Sequence, residues 1–243
     1  MEAKTRKTIQ IVLAAAIVLS AARLLWIMHE RRTAGPVPAA KKEVPLDAEY
    51  YVVPKKLHPY DLKSARQLTE QPVWVKEGYK YTYYPYDPAT HHADFKHEAG
   101  SLEPIEKLQI KDVVTDVSPV AAGERQVLAL FEKDGKEFAV PIGAVKDNDY
   151  RIYSDEMFYI QDPHQLYNFW PQDVWQSIEK HEVKPGMDEL QADFALGMGV
   201  PKKSEESNVK TVVYPAGGRF LSVTYRNGKA AEITKAPEAQ QGS

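Results

Sequence analysis

From Thr8 to Met28 the chain runs TIQIVLAAAIVLSAARLLWIM, an apolar stretch interrupted by one charge, Arg23. At a rise of about 1.5 Å per residue, a helix of this length covers about 30 Å, the hydrocarbon thickness of a bilayer. Everything after it is polar, charged and globular in character. Two architectures fit that contrast: a folded body held on a membrane by one helix, or a secreted body whose leader is removed.

Lys4, Arg6 and Lys7 would serve as the basic region of a leader, and Ser20-Ala21-Ala22 as its cleavage site. The apolar run, however, resumes at once with Leu24-Leu25-Trp26-Ile27-Met28. Trp26 suits the membrane interface, Arg31-Arg32 close the segment, and Arg23 lies near enough to its end to snorkel. These features favour an uncleaved anchor. Basic residues flank both ends (Lys4, Arg6, Lys7 against Arg31, Arg32, Lys41, Lys42), so charge leaves the orientation nearly tied. The very short basic N-terminus leans toward a body outside the cytoplasm.

About 185 residues remain beyond the anchor and its linker, enough for one large or two small domains with genuine cores. The net charge of −3 provides no basic field for nucleic acid, and Lys and Arg are dispersed among Asp and Glu. The chain has no cysteine. That rules out disulfides, thiol catalysis, Cys-ligated zinc, iron–sulfur clusters and a cysteine-linked lipid. The helix is then the one visible tether.

Residues 1–7 form a short basic N-terminus, 8–28 the anchor, and 29–59 a linker rich in proline (Pro36, Pro38, Pro45, Pro54, Pro59) that reads as an extended spacer. Residues 60–166 read as a β-rich domain. WVKEGYKYTYYPY alternates in the manner of a strand, and VLALFEKDGKEFAVPI carries Asp134-Gly135 between two apolar runs, a hairpin signature that would pair Phe131 with Phe138. Further strands at Tyr150–Tyr153 and about Met157 to Ile160 would complete a curled sheet or SH3-like barrel. Residues 167–236 read as α+β. A helix opens after Pro171 with Val174, Trp175 and Ile178 on one face. A second has Asp188 and Gln191 as a capping box and Gly197 as its C-terminal stop. Strands follow, with Asn227-Gly228 as a tight turn, and residues 237–243 form a polar, disordered tail. The overall class is α+β with one transmembrane helix.

The order Gly186-Met187-Asp188, Leu196-Gly197, Pro201, Val212-Val213-Tyr214 and Leu221 to Lys229 (containing Asn227-Gly228) resembles the SmpA/OmlA (BamE-like) domain, over about Glu179 to Ile233. The resemblance implies a helix packed on a small antiparallel sheet, in a non-catalytic, protein-binding or scaffolding module of the periplasm. It would place the body outside the cytoplasm, on the bacterial inner membrane. The chain departs from that family in lacking a lipidation cysteine and in carrying a β-rich domain and an N-terminal helix. The middle stretch VVTDVSPVAAGERQVLALFEKDGKEFAVPIGAVK is similar to a PRC-barrel, which would imply an accessory subunit beside a membrane complex and would suit a cytosolic body better.

One cluster has metal-ligand residue types: His91, His92, Asp94 and His97, followed by Glu98. Its spacing matches neither an HExxH nor a His-x3-His helix, so a solvated polar loop is the stronger reading. Tyr79, Tyr81 and Tyr83 fall on one strand face and suit sheet packing more than a stacking platform. No nucleophile elbow, phosphate loop or paired catalytic carboxylates occur, so neither an enzyme nor a cofactor is implied. The expected partners are the membrane and other envelope or membrane proteins, with no nucleic acid. The alternatives are an accessory subunit of a membrane complex and a metal-binding envelope protein.

Overall fold

The apolar segment lies within one continuous helix, α1 (Glu2–Thr33), in the computed structural model of the protein. It runs beyond residues 8–28 at both ends because the flanking residues include good helix formers (Ala, Lys, Arg, Glu) and neither glycine nor proline. Residues Leu13–Glu30 are long and apolar enough to cross a membrane. The structure describes residues 2–33, 48–78, 80–119, 121–203, 206, 208–216 and 219–236. Residues 34–47 of the proline-rich linker, Tyr79 and the tail at 237–243 lie outside the described residues. The chain forms two units, Met1–Asp47 and Ala48–Ser243.

In the second unit, the body, the helices are α2 (Leu62–Ala65), α3 (Ser154–Met157), α4 (Pro163–Leu166), α5 (Gln172–Glu179) and α6 (Glu189–Leu196). The strands are β1 (Val73–Val75), β2 (Tyr81–Asp87), β3 (His92–Ala93), β4 (Gly100–Leu102), β5 (Lys107–Leu108), β6 (Ile110–Val117) and β7 (Arg125–Lys133). They continue with β8 (Lys136–Lys146), β9 (Asp149–Ile152), β10 (Phe158–Tyr159), β11 (Val200–Lys202), β12 (Val209–Ala216), β13 (Arg219–Arg226) and β14 (Lys229–Ala236).

The central sheet has the order β3-β2-β8-β7-β6, with β4 also on β2 and β9 also on β8, all antiparallel. Its axis is the β7–β8 hairpin. Asp134 and Gly135 both take positive φ (52° and 74°), as a type I′ turn requires, and Phe131 pairs with Phe138. Both faces of this sheet are covered, which is why Val127 to Phe131 are buried without alternation. On one face Val127, Ala129, Phe131, Val140 and Ile142 join Tyr83, Leu68 and Met157. On the other, Leu128, Leu130 and Ala139 meet Tyr86, Phe95 and Val114.

Of the two expectations, a curled sheet or an SH3-like barrel, no closed barrel is formed among the described residues. β6 pairs only with β7, and β10 leaves the sheet to pair with β1, whose other neighbour is β5. A four-stranded antiparallel sheet, β11-β12-β13-β14, closes the body, with α5 and α6 contributing to its core. That core takes Val52, Trp74 and Ile105 as well as Trp175, Phe194, Tyr214 and Val223, so it draws on both sides of position 166.

Residues 48–59, expected as spacer, belong to the body. Val52 and Leu57 pack against its two main cores, and Trp170 Nε1 donates to Glu49 at 2.7 Å. Its prolines keep it out of the sheets and long helices without making it free.

β9 folds back on β8 through Asp147-Asn148, both at positive φ, and there the fit is tight. A Cβ on Gly143 would stand 2.4 Å from the Arg151 carbonyl oxygen and 2.9 Å from Ile152 Cα, both backbone atoms. Gly143→Ala must therefore push β9 off its partner. We expect a loss of about 1–3 kcal/mol, with faster amide exchange across β9. Urea unfolding and hydrogen exchange would measure the two effects. Unchanged exchange at Arg151 and Ile152 would contradict the assigned contact.

Candidate functional site

The four residues with metal-ligand chemistry do not converge. Asp87 organises the turn ahead of them, accepting from the Ala89 amide (2.9 Å) and the Thr90 hydroxyl (2.8 Å). His91 takes a positive φ of 59° at the turn end. His92 Nδ1 then lies 2.9 Å from Asp116 Oδ1, while the Ala93 amide donates to Asp116 Oδ2 at 2.8 Å. Asp94 turns instead to His97, with Oδ2 and Nδ1 2.8 Å apart. Among the described residues, no group of three His, Cys, Asp or Glu side chains is arranged to hold a metal ion.

This segment ties a loop onto the sheet. Asp116 is buried, yet its carboxyl stays below the usual range: desolvation is outweighed by the amides of Ala93 and Val117 and by His92. Phe95 packs edge-on against Tyr84 at 5.2 Å, sealing the second face of the central sheet. The described tyrosines of the run are likewise taken up in packing and hydrogen bonding. Tyr83 and Tyr86 are buried, and the Tyr81 hydroxyl donates to the Glu156 carbonyl at 3.0 Å.

Gly186, Met187, Asp188, Leu196, Gly197, Asn227 and Gly228 are brought into one construction. Gly186, at φ 91°, donates its amide to the Ala230 carbonyl (2.9 Å), and Ala230 returns a bond to the Met187 carbonyl (2.7 Å). Met187 is thereby buried beneath the β13–β14 hairpin, whose turn is Asn227-Gly228. Asp188 accepts from the Gln191 amide, and Gln191 Oε1 accepts from the Asp188 amide, completing the capping box of α6. Lys229 adds a 3.1 Å contact to Asp188 Oδ2. The helix ends with buried Leu196 and with Gly197 at φ 82°, whose amide donates to the Asp193 carbonyl. Beside the hairpin is a shallow cleft of about 240 Å³ lined by Glu189, Lys210, Tyr225 and Asn227.

The sequence carries no signal for the polar groups inside this core. Asp193, on α6, leaves Oδ1 buried with no hydrogen-bond partner. Burial pushes its carboxyl up to about 7, with the Tyr214 hydroxyl acting in the opposite direction. Tyr214 and Tyr225 hydroxyls lie 2.9 Å apart, and desolvation raises both phenols. Nearby, the Tyr159 hydroxyl donates to Glu77 Oε2 at 2.8 Å. No local pattern marks these groups; only the facing of α6 onto β12 and β13 does.

Aromatic side chains pack at the other end of the same core. Tyr167 stacks on Trp170 at 4.5 Å, and Phe194 meets both edge-on at 5.1 and 5.0 Å. His164 stacks on Trp175 at 4.0 Å. Above them a groove of about 460 Å³ is rimmed by His164, Asn168, Gln172, Gln176 and Glu179. Its indole floor is nearly covered, since Trp170 and Trp175 are only 5% and 7% exposed. Amides, a carboxylate and an imidazole around such a floor are suited to hydrogen bonding with a polar ligand.

No protein-family model, no curated protein and no solved structure matches this chain.

Proposed function

We propose that the chain is a single-pass protein of the bacterial inner membrane whose body lies in the periplasm and acts as a non-catalytic binding or scaffolding module. The observation that carries this reading is α1: its side chains from Leu13 to Glu30 are exposed all round, and the stretch is long enough to span a bilayer. The resemblance of residues 179–233 to the BamE-like domain supports it. So does the way the motif residues clamp the start of α6 to the β13–β14 hairpin, a structural rather than catalytic use of them.

Topology and partner capture test it together. A phosphatase fused after Ser243 is expected to be active and a fluorescent protein at the same place dark; the reverse pattern would put the body in the cytosol. Gentle solubilisation is expected to recover the full chain with a stoichiometric protein partner. Recovery of the chain alone would defeat scaffolding.

A second reading, an accessory subunit that uses α1 itself as contact surface, is favoured by one side of that helix. Leu19, Ala22, Arg23, Trp26, Ile27 and Glu30 line a shallow groove of about 500 Å³ there, with a basic and an acidic residue two turns apart. Replacing residues 8–28 by an unrelated apolar helix separates the two readings. An accessory subunit loses its complex, whereas a tethered module keeps its partner.

A further inference from the structure

The first described residues of the body form a strap with two contrasting sides. Ala48–Tyr51 make one 3-10 turn, and the chain then runs without helix or strand to Pro59, with His58 at a positive φ of 51°. On the inner side Glu49 accepts from Trp170 Nε1, while Val52 and Leu57 pack against separate cores. The backbone is pinned as well. Lys55 donates its amide to Gln161 Oε1 (2.8 Å), and the amides of Leu57 and His58 donate to the two carboxylate oxygens of Asp155 (3.1 and 2.9 Å). All these partners lie about a hundred residues away in sequence, so the strap is held by tertiary structure.

The outer side carries Tyr50, Tyr51, Val53 and Tyr60, exposed by 74%, 70%, 84% and 76%. A single exposed apolar side chain needs no explanation, but three tyrosines and a valine within eleven residues of a pinned strap do. Tyrosine pairs an apolar ring with a polar tip, the combination favoured where hydrocarbon meets headgroup. Exposed Lys55 and Lys56 lie between Val53 and Tyr60 in sequence, exposed Lys63 follows three residues after Tyr60, and Lys56 pairs with Glu156 at 3.0 Å. Their amines suit an anionic headgroup layer.

Chain length supplies the remaining argument. Only residues 34–47 separate the end of α1 from Ala48. Fully extended, fourteen residues reach about 50 Å. Any bilayer that holds α1 is therefore presented to the strap as an intramolecular partner, at an effective concentration on the order of millimolar. A weak interfacial surface then suffices for docking.

We propose that the outer face of this strap (Tyr50, Tyr51, Val53 and Tyr60) docks into the lipid headgroup layer of the membrane that holds α1. The body is then fixed against the bilayer in one orientation. This rests on the anchor reading above.

The absence of cysteine makes the test clean, since each introduced thiol is the only one in the full chain. Leu19→Cys, Val53→Cys and Glu232→Cys, each labelled with a nitroxide, would be reconstituted in phosphatidylcholine–phosphatidylglycerol vesicles. Accessibility to oxygen and to a water-soluble nickel chelate would then be compared. The label at 19 is expected deep in lipid, that at 53 in the headgroup layer, and that at 232, an exposed position of β14, in water. A label at 53 as aqueous as the one at 232, with 19 still in lipid, overturns docking and leaves the anchor standing. An aqueous label at 19 overturns the anchor reading, and docking falls with it.

Tyr50→Ser combined with Tyr51→Ser is expected to weaken docking at position 53 about tenfold, corresponding to about 1.4 kcal/mol. The melting temperature should stay unchanged, because neither ring packs in a core. Undiminished docking in that variant overturns the assignment to these side chains. Spin–spin broadening at 53 that vanishes on dilution with unlabelled chain would assign the face to a second copy, and would overturn the lipid proposal.

Discussion

Phe194→Ala is expected to lower the stability of the body by about 3–5 kcal/mol, the largest loss for any single substitution considered. Phe194 is fully buried on α6, with ring contacts to Tyr159, Tyr167, Trp170 and Trp175. Removing it opens a cavity that flat, rigid neighbours fill poorly. For a body of this size, each kcal/mol corresponds to about 2–4 °C in melting temperature, so a fall of about 10 °C is expected. Thermal melts of the full chain in detergent, followed by near-ultraviolet circular dichroism, would measure it. Met198→Ala is the control, since Met198 is about half exposed, lies in none of the buried cores and should change stability by less than about 0.5 kcal/mol. A loss below about 1 kcal/mol for Phe194→Ala would contradict the packing described.

Asp193→Asn is expected to stabilise the protein, by an amount that grows as pH rises from about 4 and levels off above about 7. Burial raises the Asp193 carboxyl from an ordinary 3.8 to about 7. Between about pH 4 and pH 7 the native state therefore binds more protons than the unfolded chain. Unfolding free energy falls as pH rises through that window and stays reduced above it. At about 1.36 kcal/mol per pH unit the ceiling is about 4 kcal/mol. Part of the residue meets solvent, so a gain of about 1–3 kcal/mol is expected at pH 8. At pH 4 the protonated acid and the amide are nearly equivalent, and the gain should be below about 0.5 kcal/mol. Melting the two proteins at both pH values is the measurement. A gain of equal size at pH 4 and pH 8 would show that the carboxylate is not desolvated as described.

Elements specified by neighbouring residues are legible in the sequence. Asp134-Gly135 and Asn227-Gly228 place two hairpins because positive φ is tolerated there. Asp188, Gln191 and Gly197 bound α6 because helix ends need partners for their free amides and carbonyls. The same reasoning extends to Asp147-Asn148 at the β8–β9 turn, since both residue types accept positive φ.

Elements that depend on distant partners are not legible in that way. The stretch 48–59 reads as spacer because its prolines are local, whereas Trp170, Gln161 and Asp155, which pin it, are not. The strand at Phe158–Tyr159 reads as part of the same curled sheet or barrel because strand propensity says nothing about which edge a strand joins. His92 reads as one ligand among neighbours, and its actual partner, Asp116, stands 24 residues away.

Residue type alone is enough for the membrane-spanning length of the apolar segment, the turn positions and the helix caps. All of these rest on interactions within about four residues along the chain. The fold is needed for the open central sheet, the pinned strap with its outward tyrosines and the buried carboxyl of Asp193. Strand pairing, burial and desolvation are properties of surfaces brought together across long sequence separations, and those surfaces exist only once the chain has closed on itself.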